Sequence, residues 1–200
     1  MKKAFAVAAV VVVSVLPARA DDCRERFARY LEATIDARTP GKAHIVTEIK
    51  GGPSTENEFL FVSQDHHMHK TLKPAGIAWT LTYKGAMYTS SDEGKTWKKS
   101  LTFDPAKRRA ETEALLKDQA ASARNTKCAE DVIDGRPHDT FDTELGNTKL
   151  PGMETQAKYW VDRESKQTTR TVSTMKGGGI ESRSTQTWQT VHDLQLPVPQ

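Results

Sequence analysis

Residues 63–70 read SQDHHMHK and place three of the six histidines beside a methionine. Imidazole and thioether groups are donors to copper and zinc. In an extended strand side chains alternate, so His67 and His69 face one way while His66 and Met68 face the other. One face then offers two imidazoles about 7 Å apart. Two donors fall short of a site, and a third would have to come from His44, His138 or His192, all in other segments. The structural reading is a strand of polar residues leaving the core segment from Phe59 to Val62 toward a solvated turn at Lys73-Pro74-Ala75-Gly76. We expect no metal ligands, and His67 and His69 define the alternative, a periplasmic copper- or zinc-binding protein.

The other motifs point to turns. Ser90 to Trp97, SSDEGKTW, matches the S-x-D-x-G-x-T-W Asp-box of propeller glycosidases. It occurs once, and a propeller needs a repeated blade. As a hairpin it has a clear physical content: Asp92 accepts backbone hydrogen bonds, Gly94 permits positive φ, and Trp97 packs on the strand. Gly94-Lys95-Thr96 resembles the end of a P-loop, but Thr89 stands where that loop needs glycine. Gly177-Gly178-Gly179 reads as another hairpin tip. No G-x-S-x-G, H-E-x-x-H or C-x-x-C pattern occurs. We expect no catalytic residues, no cofactor and no enzymatic activity.

The elements that carry these residues are mostly strands. AHIVTEIK, EFLFVSQ, AWTLTY, AMYTSS, TWKKS, EDVID, HDTFDTEL, AKYWVD, TTRTVSTM and IESRSTQTW are short, rich in Thr, Val, Ile and aromatics, and separated by turn residues. Hairpin connections among them predict a large antiparallel sheet, and the alternation of Phe141, Thr143 and Leu145 gives it one covered face. Two helices interrupt the pattern. The first, about residues 22–38, carries Phe27, Tyr30, Leu31, Thr34 and Ile35 at helical spacing, with Cys23 on the face of Phe27 and Asp21 or Asp22 as N-cap. The second starts at Asp104-Pro105, an N-cap followed by proline at the first helical position, and runs to about Asn125 with a thin apolar face suited to a surface or a lid.

The first twenty residues have a basic start, an uncharged apolar run and an Ala18-Arg19-Ala20 ending, the form of a secretory signal peptide cleaved after Ala20. We therefore expect a signal peptide over 1–20, one domain over 21–200, and periplasmic release. Without Lys2, Lys3 and Arg19, the 29 Lys and Arg residues fall to 26, equal to the 26 Asp and Glu. Such a balance leaves no electrostatic footprint for nucleic acid. In an exported chain the two cysteines, Cys23 and Cys128, allow one pairing, a disulfide closing a loop of about a hundred residues.

An exported helix, an antiparallel sheet, a mid-chain helix, then VIDGRPHDTFD, KYWVDRESKQTTRTV, GGGIESRSTQTW and HDLQLPVP: this ordering resembles the periplasmic outer-membrane lipoprotein-sorting proteins of the LolA/LolB type. The resemblance rests on Asp134-Gly135-Arg136 before a long strand, Tyr159-Trp160-Val161-Asp162 with its turn and return strand from Thr168, and the proline ending Leu196-Pro197-Val198-Pro199. It implies a mainly β fold of the α+β kind: a curved antiparallel sheet of about ten or eleven strands forming an open half-barrel, its concave face covered by both helices. It further implies a non-enzymatic carrier or sensor whose partner is a hydrophobic ligand (lipid, acyl chain or lipoprotein), with a membrane-protein partner for the sensor role, and a monomer. Trp79, Leu81 and Tyr83 alternate on one strand face and Met87 with Tyr88 follows across the Lys84-Gly85 turn, making this hairpin the candidate cavity wall. The same five residues also read as ordinary packed core.

Overall fold

The computed structural model describes residues 20–146 and 152–199. The segment expected to be a signal peptide, apart from Ala20, lies outside the described residues. Two helices and eleven strands follow one another in the order α1 (Ala20–Ala37), β1 (Gly41–Ile49), β2 (Thr55–Ser63), β3 (His66–Lys73), β4 (Trp79–Tyr83), β5 (Ala86–Ser90), β6 (Lys98–Thr102), α2 (Pro105–Ser122), β7 (Arg124–Ile133), β8 (Arg136–Gly146), β9 (Glu154–Asp162), β10 (Thr168–Gly177) and β11 (Ile180–Thr190).

All strands join one antiparallel sheet in the order β6-β5-β4-β3-β2-β1-β11-β10-β9-β8-β7. Sequential hairpins build each half, and the first and last strands meet in the middle, Ala43 opposite Trp188. The edges β6 and β7 remain unpaired to each other, so the sheet is an open half-barrel. The helix α2 is the connection between these two edges, and it therefore bridges the open side.

Asp104 caps α2, its carboxylate accepting from Ala106 N at 2.8 Å and Lys107 N at 3.3 Å, with Pro105 in the first turn where a missing N–H costs nothing. Ala120 is its one fully buried residue, so this helix lies on the surface as its thin apolar face predicts. In α1 the residues Cys23, Phe27 and Leu31, four apart, are 3%, 0% and 4% exposed and form the face turned to the sheet. The helix is described from Ala20 onward, so Asp22 lies inside it and not at an N-cap.

A core of Phe27, Leu31, Ala120, Ala123, Phe141, Leu145, Ala157 and Val161 joins both helices to β8 and β9. The disulfide between Cys23 and Cys128, Cα atoms 5.5 Å apart, ties α1 to β7 at the margin of that core. Arg109 of α2 reaches Asp36 of α1 at 2.6 Å and Arg24 of α1 donates to Ala121 O at 3.0 Å, so the two helices are also bound to each other.

The opposite, convex face has its own core of Leu60, Met68, Leu81 and Leu196, with Val62, Tyr88, Trp97 and Leu194 against it. Leu194 and Leu196 belong to the proline-containing tail after β11, which folds over β2 to β5 and adds no strand. His66 and Pro197 O, 3.0 Å apart, pin this tail.

Candidate functional site

A turn at Gln64 and Asp65 separates the histidines from the core segment: β2 ends at Ser63, and His66, His67 and His69 lie together in a strand of their own, β3, instead of continuing the strand of Phe59 to Val62. Alternation survives: His67 pairs with Phe61 and His69 with Phe59 on the concave face, while Met68 is in the convex core. His67 packs against both phenylalanine rings, at 5.5 and 6.4 Å between centroids. Burial holds the His67 and His69 imidazoles below their ordinary pKa. Among the described residues no third His, Cys, Asp or Glu joins them. His44 is 2.9 Å from Glu56, His138 is buried with Nδ1 2.8 Å from Arg136 O, and His192 lies in the exposed part of the tail.

Ser90 to Trp97 is the hairpin between β5 and β6. Asp92 accepts from Thr96 N at 2.9 Å, from Thr96 Oγ1 at 2.6 Å and from Ser90 Oγ at 2.7 Å, which holds its carboxyl well below the usual range. Gly94 has φ +87°, and a Cβ there would stand 3.3 Å from the Trp79 ring. Ser90, Asp92 and Thr96 are thus engaged in holding the turn itself.

The five residues of the β4–β5 hairpin divide between the faces. Trp79, Leu81, Tyr83 and, by register with Leu81, Tyr88 lie on the convex side, whereas Met87 pairs with Thr82 and faces the helices. Leu81 is fully buried in the convex core; Lys70 sits 5.1 Å over the Trp79 ring and His66 is edge-on to Tyr83 at 4.9 Å.

The concave face opens into a cavity of about 750 Å³ between α1, α2 and strands β8 to β11. Its helix side is built by Tyr30, Leu31 and Thr34, with Leu116 and Gln119 from α2. Its sheet side is Phe141, Tyr159, Val161, Thr171, Gln186 and Trp188. The aromatic end is tightly packed: Tyr30 stacks on Phe141 with centroids 5.5 Å apart and planes 17° apart, and Phe27 lies 5.3 Å from Tyr159. Burial raises the pKa of Tyr30, with the hydrogen bond to Thr168 and the charge of Arg38 opposing it in part. Tyr159 is pushed up by burial and further by Tyr30. These phenols are therefore neutral over the physiological range.

The chain is similar to LolA-superfamily structures. Among solved structures, a LolA superfamily protein from Nitrosomonas europaea matches at 7% identity, covering 87% of this chain and 94% of that one, with a TM-score of 0.34. A domain described as an outer membrane lipoprotein-sorting protein from Vibrio parahaemolyticus matches at 10% identity, covering 88% and 95%, with a TM-score of 0.34. The hypothetical lipoprotein YmcC from Escherichia coli matches at 11% identity, covering 85% and 95%, with a TM-score of 0.27. No family model and no curated protein matches the chain. What the cavity can hold follows from its own lining.

Much of that lining was hidden in the sequence. Arg38 follows a helix at an unremarkable position, and Trp188 and Gln186 sit in a strand dominated by Ser, Thr and Gln. The signal that could have found part of it was the Phe141, Thr143, Leu145 alternation, whose register partners Tyr159, Ala157 and Thr155 continue the same face across β9.

Proposed function

We propose that this chain is a non-enzymatic periplasmic protein that binds a hydrophobic ligand, a lipid, an acyl chain or an acylated protein, in the cavity under α1, as a carrier or a sensor. The observation that carries this reading is the cavity itself. At about 750 Å³ it falls in the range of clefts that take small ligands, roughly 300–1,000 Å³, and aromatic and aliphatic side chains wall one end of it. An acyl chain entering there gains about 0.8 kcal/mol for each methylene removed from water. Both covering elements, α1 and α2, are helices with few core contacts on their outer sides, which suits a lid over a carried ligand. The basic start, apolar run and small-residue ending of residues 1–20 support export, and monomeric carriage needs no second chain to complete the cavity walls.

The test is direct. Mature protein purified from its own host is extracted with organic solvent, and the extract is analysed by mass spectrometry, alongside titration of the emptied protein with fluorescent fatty-acid probes. We expect lipid in the extract at a stoichiometric level and saturable probe binding. Protein that is consistently free of lipid and ignores the probes would falsify the proposal.

A further inference from the structure

The cavity carries an excess of positive charge. Arg26, Arg29, Arg38 and Lys166 line it, against a single carboxylate, Asp139. From residue 21 onward basic and acidic residues are equal in number, so this excess is a local arrangement. Asp139 is already engaged, accepting from Arg163 Nε at 2.9 Å and Nη2 at 2.8 Å, with Arg26 at 3.8 Å. Arg29 pairs with Glu25 at 3.6 Å.

Arg38 differs from these. Among the described residues no carboxylate forms an ion pair with it, and its neighbours are rings: its guanidinium carbon lies 5.9, 5.3 and 5.5 Å from the centroids of Phe59, Phe61 and Trp188. The rings compensate charge but accept none of the guanidinium's N–H bonds in its plane. Trp188 lines the same cavity, and its indole Nε1 is buried with no hydrogen-bond partner in the protein. Arg38 is exposed, so solvent reaches it, although the surrounding protein lowers its pKa. A hydrocarbon tail filling the cavity would displace part of the solvent around this cation. A charge desolvated in that way is costly unless a counter-charge arrives with the tail.

We infer that the cavity takes an amphiphile with an anionic carboxylate or phosphate head group seated on Arg38, its hydrocarbon tail running along Tyr159 and Val161. This rests on the proposed hydrophobic-ligand reading and narrows its chemistry. Arg supplies a planar fork that matches either oxyanion.

The test compares ligands that share one tail: palmitate, hexadecyl phosphate and the neutral hexadecanol, each titrated against full mature protein by displacement of an uncharged fluorescent probe. We expect both anions to bind about tenfold or more tightly than the alcohol. Arg38→Gln should erase that advantage, bringing both anions to the affinity of hexadecanol in the same variant, and Arg38→Lys should restore part of it as a point charge. A preference for palmitate alone would assign a fatty acid, and for hexadecyl phosphate alone a phospholipid head group; either supports the inference. Equal binding of all three by wild type, or an equal loss of all three in Arg38→Gln, overturns it while leaving a hydrophobic cavity in place. Failure of all three to bind overturns both the cavity reading and the inference. Should Arg38→Gln not fold, the wild-type comparison of head groups at low and high salt decides the matter, because only the anionic advantage is screened.

Discussion

The hydroxyl of Tyr30 in α1 is hydrogen-bonded to that of Thr168 at the start of β10, at the cavity wall and 138 residues along the chain. This contact and the stack on Phe141 hold the helix over the sheet. Tyr30→Phe keeps the ring and removes the bond, so we expect a loss of about 1 kcal/mol in urea denaturation. The folded pKa values of Tyr30 and Tyr159 lie above the ordinary 10.0, so the folded protein retains protons that the unfolded chain releases. Their contribution is complete below that ordinary value and declines as the pH rises past it. A Tyr30→Phe, Tyr159→Phe double variant should lose less stability than wild type between about pH 9 and about pH 11; identical slopes would show that these phenols are not the cause.

Acid should act through β3. Burial depresses the pKa of His67 and His69 below the ordinary 6.5, and the charges of Arg38 and Arg108 add to this for His67. The unfolded chain then binds protons that the folded one refuses, so stability is intact above that value and falls as the pH drops below it, until the depressed folded values are passed. Thermal melts from about pH 7 to about pH 5 should decline less steeply for a His67→Gln, His69→Gln variant than for wild type.

The disulfide spans 105 residues and anchors the helix that roofs the cavity. A Cys23→Ser, Cys128→Ser variant should be less stable by about 2–5 kcal/mol, by the loop-entropy account of such bridges. Hydrogen exchange locates the effect: amides of α1 should exchange faster relative to those of β1 and β11. Uniform change across the chain would mean that the bridge does not specifically hold the helix.

The tail is the cover of the convex face. Leu196 is 9% exposed in a cluster with Leu60, Met68 and Leu81. Leu196→Ala should cost about 2–3 kcal/mol, near the lower end for buried leucines because the site lies at a surface layer. The variant should keep its affinity for fatty-acid probes, because the cavity lies on the other side of the sheet; a matching loss of affinity would tie the two faces together.

Local chemistry made much of this architecture legible. The Asp104-Pro105 cap, the turns at Lys84-Gly85 and Asp134-Gly135, and the hairpin of Ser90 to Trp97 are written in residues whose backbone preferences act over a few positions. Two cysteines allow only one pairing within the chain, and the structure has it. The strand β3 was harder, because His, Lys and Thr replace the apolar alternation that marks a strand.

Alternation also shows which residues share a face and is silent on which face is which. Trp79, Leu81 and Tyr83 share a face, yet what covers Leu81 is a tail more than a hundred residues later in the chain. The cavity has the same origin. Arg38, Phe61 and Trp188 become neighbours only because β1 pairs with β11 on one side and β2 on the other, closing the sheet around its first and last strands. Periodicity of two is a property of each strand alone, whereas the choice of inner face and the meeting of a cation with three rings depend on what packs above the sheet, which only the tertiary structure decides.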